Sequence, residues 1–143
     1  MNIGFYVNSI ANEQEFNNIA NEISKHNLKD ANIFYNEIGK INVPLTCGLF
    51  HCADMWSFEG TLVVNSVNNL VKAKNIVNKF KIVYYYGLEP KINVLQMLGS
   101  YANADDIICN GADKQKEFKR LTNVDVGFVS ENYSDIFNLE CLQ

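Results

Sequence analysis

Gly60-Thr61-Leu62-Val63-Val64-Asn65-Ser66, answered downstream by Lys81-Ile82-Val83-Tyr84-Tyr85-Tyr86, is the stretch that decides the fold. Each run is short, continuously apolar and rich in β-branched or aromatic side chains, the pattern of a strand covered on both faces. Between them Ser66 is positioned to cap a long helix, with Leu70, Ala73, Val77 and Phe80 along one stripe. Strand, helix and strand without a hairpin turn make a βαβ unit with parallel strands and a right-handed crossover.

The same alternation continues in both directions. Residues 2–8 form a first strand, and Asn12 with Glu15 caps a helix whose Phe16, Ile19, Ala20 and Ile23 share a face. Residues 31–35 and 43–50 read as strands, the latter entered through Pro44, and 51–57 as one or two helical turns. Downstream of Tyr86, Pro90 suits the first turn of a helix running to about Tyr101. A strand at 106–110, a polar helix at 111–121 and a short strand at 124–129 follow. Residues 133–142 close the chain as an amphipathic helix with Tyr133, Ile136, Phe137 and Cys141 inward. The expected architecture is a single α/β domain over residues 1–143, a three-layer Rossmann-like fold with a mostly parallel sheet of six or seven strands.

Composition narrows the function. With 143 residues, 48% of them hydrophobic and 20% charged, the chain buries a core without needing disulfide or metal staples. The net charge of -4 and the lack of a dense basic run speak against a nucleic-acid groove. No apolar stretch is long enough for a membrane span, and Met1-Asn2-Ile3-Gly4-Phe5 does not read as a signal peptide, so a cytoplasmic protein is expected. Cys47, Cys52, Cys109 and Cys141 are too scattered for a disulfide framework. Cys47 and Cys52, flanking Gly48-Leu49-Phe50-His51, lack the second ligand pair of a zinc site, and no metal is expected.

Parallel sheets bind ligands outside the carboxyl ends of their strands, which turns the sequence into a short inventory. Asn8, Ser9, Asn65, Ser66 and Asn110 are candidate ligand-binding residues, suited to a hydroxyl-rich molecule. For Asn8, Ser66 and Asn110, helix capping is the competing role. His51, Asp54 and Glu89 are candidate catalytic residues: a histidine and a carboxylate after one core strand can make a general base and its orienter. The competing reading has Trp56 and Phe58 packing this connection while His51 caps backbone carbonyls. After the first strand the chain reads Asn8-Ser9-Ile10-Ala11-Asn12, without dinucleotide-binding glycines, and no P-loop occurs. NAD, FAD and ATP chemistry is therefore disfavoured and no cofactor is expected.

In order, Phe50-His51-Cys52-Ala53-Asp54-Met55-Trp56-Ser57-Phe58-Glu59-Gly60-Thr61, the strand Leu62-Val63-Val64, the run from Lys81 to Glu89, and Asp105-Asp106-Ile107-Ile108-Cys109-Asn110 resemble short phage-encoded glycosyltransferase-like proteins. More broadly they are similar to the N-terminal half of GT-B glycosyltransferases. The chain departs from that pattern at Gly87 and Pro90. The resemblance implies an acceptor-side domain, with His51 and Asp54, and separately Glu89, lining an interdomain cleft. It implies His51 or Glu89 as general base, with Asp54 orienting the imidazole. It further implies a nucleotide-sugar or hydroxylated acceptor as ligand, and the host cytoplasm as location if phage-encoded. With one domain's length, the donor-binding half is lacking, so a homo-oligomer or separate partner domain is expected to complete the site, and catalysis by this chain alone is not. The alternative is a non-catalytic Rossmann-like module that binds a small ligand or a protein partner.

Overall fold

A computed structural model describes residues 2–10, 14–28, 30–76, 80–89 and 92–136, without the side chain of Ser134. The elements run β1 (Ile3–Ser9), α1 (Gln14–Lys25), β2 (Ala31–Glu37), β3 (Gly48–His51), a 3₁₀ helix (Cys52–Ser57) and β4 (Thr61–Val64). They continue with α2 (Val67–Lys74), β5 (Lys81–Tyr86), α3 (Val94–Asn103), β6 (Asp106–Cys109), α4 (Ala112–Thr122), β7 (Phe128–Val129) and α5 (Tyr133–Ile136). All seven strands join one sheet in the order β3-β2-β1-β4-β5-β6-β7, and every pairing is parallel. This is the expected three-layer Rossmann-like architecture.

Period-two alternation sorts the strand side chains onto the two faces. Ile3, Phe5 and Val7 of β1, Val63 of β4 and Val83 and Tyr85 of β5 pack with α1 and α5 through Phe16, Ile19, Ile23, Tyr133 and Ile136. Tyr6, Leu62, Val64, Ile82, Tyr84 and Tyr86 face the other way, onto the 3₁₀ helix, α2, α3 and α4 through Met55, Leu70, Met97 and Phe118. Burial on both faces is why β4 and β5 are continuously apolar in sequence. The stripe Phe16, Ile19, Ala20 and Ile23 is buried as its spacing predicts.

Several boundaries differ from expectation for identifiable reasons. The strand expected at 43–50 is confined to Gly48–His51, because Gly48 pairs with Asn32 and β2 begins at Ala31. Upstream residues would face a turn with no ladder to join, so Pro44 lies outside any strand. The helix after Ser66 stops at Lys74, where the Ile76 N–H turns to the Ala73 carbonyl three residues back. Phe80 therefore lies beyond the helix, and Val77 is outside the described residues.

The helix expected from Pro90 starts at Val94 instead. Asn93 and Gln96 form a reciprocal capping box, each side chain accepting the other's backbone N–H at 2.9 Å. The last strand shrinks to Phe128–Val129 because Gln115 Nε2–H takes the Val126 carbonyl at 2.6 Å, tying that segment to α4. Asn12, Pro90, Phe137 and Cys141 lie outside the described residues. No helix among the described residues is long and apolar enough to cross a membrane.

Candidate functional site

Strand order reverses between β1 and β4. The chain leaves β1 toward α1 on one face and leaves β4 toward α2 on the other, which opens a crevice at their carboxyl ends. A cavity of about 270 Å³ occupies this switch point, lined by Val7, Asn8, Ser9, Glu15, Asn65, Ser66, Leu88 and Glu89. Four of the five expected ligand-binding residues thus meet in one place, joined by Glu89 from the loop after β5.

Local chemistry explains how these side chains are held. Ser66 caps α2, its Oγ accepting the Asn69 N–H at 3.2 Å, as the sequence predicts. Gly87 turns the chain after β5 with φ of +113°, where an added Cβ would meet Lys114 Cγ at 2.8 Å. The turn returns Glu89 toward α2, where Oε2 accepts the Val67 N–H at 2.9 Å and the Tyr84 hydroxyl at 3.4 Å. Glu15 of α1 accepts the Tyr133 hydroxyl at 2.7 Å, and Asn65 Nδ2–H donates to that same phenol oxygen at 3.5 Å.

A second polar cluster backs the cavity. The Tyr6 hydroxyl donates to Asn36 Oδ1, and Asn36 Nδ2 donates to Asn8 Oδ1 at 3.2 Å and to Asn69 Oδ1 at 2.9 Å. Asn69, fully buried on α2, donates through Nδ2 to the Tyr6 carbonyl at 3.5 Å.

Electrostatically the cavity carries two carboxylates and no lysine or arginine among the described residues that line it. Burial, reinforced by Glu89, holds the Tyr84 phenol well above its ordinary value, and burial with Glu15 does the same for Tyr133. Both phenols therefore stay neutral and donate to their carboxylates. Lys114 lines a neighbouring cavity that Leu88 and Glu89 also border, and pairs with Glu117 at 3.7 Å.

The remaining expected residues lie elsewhere on the carboxyl edge. His51 ends the edge strand β3, four strand spacings from β5, roughly 19 Å from the region of Glu89. Its Nδ1 accepts the Ala53 N–H at 3.1 Å, capping the 3₁₀ helix from a backbone amide and not from carbonyls. Asp54 is exposed and its carboxylate makes no hydrogen bond or ion pair among the described residues, His51 included. Trp56 is 69% exposed, so of the two aromatics expected to pack this connection only Phe58 is buried. Asn110 follows β6 and accepts the Tyr85 hydroxyl at 3.4 Å, outside the switch-point cavity.

Cys47, Cys52 and Cys109 are free thiols, and Cys141 lies outside the described residues. Burial pushes the Cys47 thiol up to about 11 and Cys109 to about 12, which suppresses thiolate chemistry at both. No group of three or more His, Cys, Asp or Glu side chains suited to a metal ion occurs among the described residues.

Glu15, Asn36, Tyr84 and Tyr133 take part in the site without having been singled out from the sequence. Glu15 reads as the capping partner of Asn12, and Asn36 falls beyond the expected end of the second strand at residue 35. The one usable signal is a polar residue directly after a buried strand, which fits Asn36 behind the expected strand end at residue 35; in the structure β2 runs on through Asn36 to Glu37. Comparison of the chain with protein-family models, curated proteins and solved structures finds no match.

Proposed function

We propose that this chain is the acceptor-side domain of a glycosyltransferase-like protein and holds an uncharged, hydroxylated ligand in the switch-point cavity. The observation that carries the reading is the lining of that cavity: amide, hydroxyl and carboxylate groups at the β1–β4 crevice with no basic side chain among the described residues there. Hydroxyls both donate and accept, so they match such a mixed wall. Phosphates would meet Glu15 and Glu89 with no compensating cation among the described lining residues. Glu89 Oε2 is occupied while Oε1 has no partner among the described residues, which leaves one carboxylate oxygen to accept a hydroxyl proton as general base. The nucleotide-sugar would be held by a second domain or second copy facing this edge.

Calorimetric titration with a panel of methyl glycosides, with UDP-glucose and GDP-mannose run separately, tests the reading. At least one glycoside should bind, Glu89→Gln should weaken it, and the nucleotide-sugars should not compete. Binding of nucleotide-sugars at this cavity, or of nothing hydroxylated, overturns it.

A protein-binding role, shared by the non-catalytic module and by a homo-oligomer that completes the site, is favoured by the outer face of α3. Leu95 is 80% exposed, Tyr101, Val94 and Leu98 are exposed beside it, and the helix carries no charged residue. A face without charge can meet its own copy without opposing like charges. Sedimentation of the wild type against Leu95→Glu decides whether that face self-associates; a monomer in both cases removes this support.

A further inference from the structure

The polarity of the cavity wall at Asn8 is dictated from a buried backbone carbonyl through a chain of amides. A carbonyl oxygen can only accept, so the amide nitrogen of Asn69 must face Tyr6 O, as it does at 3.5 Å. That turns Asn69 Oδ1 toward Asn36, which therefore presents Nδ2 to it at 2.9 Å. Asn36 Oδ1 is then left for the Tyr6 hydroxyl, a donor whose proton is retained because burial and neighbouring Cys52 raise its pKa. The second Nδ2 proton of Asn36 reaches Asn8 Oδ1 at 3.2 Å. Asn8 thus turns its Oδ1 toward Asn36, and its own Nδ2 has no partner among the described residues. Every link sits on one face. Val7 pairs with Tyr35 and Ser9 with Glu37, so Asn8 and Asn36 are neighbours across β1 and β2, with α2 above them.

The other side of the cavity has the opposite character. Glu89 offers Oε1, and Asn65, whose Nδ2 is engaged with Tyr133, offers Oδ1. We propose that Asn36, which does not line the cavity, is a positioning residue that makes Asn8 a hydrogen-bond donor. The site thereby selects a ligand presenting an ether or hydroxyl oxygen to β1 and a hydroxyl proton to Glu89, as the ring edge of a neutral glycoside does. This inference rests on the functional reading above.

Asn36→Asp is the near-isosteric test. The carboxylate still accepts from Tyr6 but cannot donate, so exposed Asn8 turns its Nδ2 inward and its Oδ1 to the cavity. Titration with the tightest-binding methyl glycoside should show about a tenfold loss for Asn36→Asp, the scale of one hydrogen bond exchanged for a repulsive contact. In an Asn8→Ala background, Asn36→Asp should cost no further affinity, because Asn36 acts through Asn8. Equal losses in both backgrounds overturn the inference. Side-chain amide exchange by NMR on the wild type provides a readout that needs neither ligand nor variant. The Asn36 amide protons should exchange more slowly than those of Asn8; equal or reversed rates also overturn it. If no methyl glycoside binds, the functional reading fails while the exchange rates still judge the amide chain.

Discussion

Replacement of Glu89 separates its structural duty from its proposed chemical one. In Glu89→Ala, the Val67 N–H at the first turn of α2 loses a 2.9 Å charge-assisted bond, and the wholly buried Tyr84 loses its 3.4 Å acceptor. Loss of a helix-start acceptor costs about 1 kcal/mol, with a few tenths more from removing negative charge at the positive end of the helix. A buried hydroxyl left without a partner adds about 1 kcal/mol, the low end of the usual range because the bond is long. The total is about 2–3 kcal/mol, with the Val67 bond the larger part. With a urea dependence of about 2 kcal/mol per molar, the unfolding midpoint should fall by about 1 M. Glu89→Gln keeps one acceptor oxygen for Val67 and should lose less than half as much. Adding Tyr84→Phe to Glu89→Ala should recover part of the loss, since it removes the stranded hydroxyl. A midpoint for Glu89→Ala within error of wild type would refute the reasoning, because it would mean that neither bond stabilises the fold.

Three further outcomes follow from the geometry. Gly60 has φ of +142° and a built Cβ would lie 2.3 Å from the Asn2 carbonyl oxygen, so Gly60→Ala should destabilise by at least about 2 kcal/mol; an unchanged urea midpoint would contradict this. Burial raises Cys109 from 9.0 to about 12 and Cys47 from 9.0 to about 11. Unfolded thiols ionise near 9 while the native ones keep their protons, so the contribution of these two thiols is fully present below that pH and is lost as pH rises from 9 toward 11. Above 10 this fall in stability is joined by the buried Tyr84 and Tyr133, whose phenols are raised in the same direction. Cys109→Ala should lessen that fall, and a midpoint independent of pH up to 11 would sink the assignment. His51→Ala removes one exposed cap and should cost no more than about 1 kcal/mol while leaving glycoside binding at the switch point intact; loss of binding would return His51 to the site.

What was legible in the sequence follows from local rules. The continuous apolar runs at β4 and β5 require cover on both faces, and helices between them require parallel pairing. From that alone the Rossmann-like class, the carboxyl edge at which the switch-point cavity lies and the Ser66 cap were readable. Strand order was not readable, because it depends on which runs pair across the sheet and not on any run by itself. That order places β1 beside β4 and gathers Asn8, Ser9, Asn65, Ser66 and Glu89 while sending His51 and Asp54 to the far edge. Register likewise belongs to the assembled sheet: residues 43–46 carry strand-like side chains but fall before the start of β2 at Ala31 and have none of its backbone opposite them. Asn36 makes the same point at the scale of a single amide. Its side chain matters because Asn8, Asn69 and Tyr6 surround it, and they come from 28, 33 and 30 residues away in the chain. Propensity and spacing act over a turn or two of chain, whereas hydrogen-bond polarity at a cavity wall is set by whatever the tertiary fold brings within hydrogen-bonding distance.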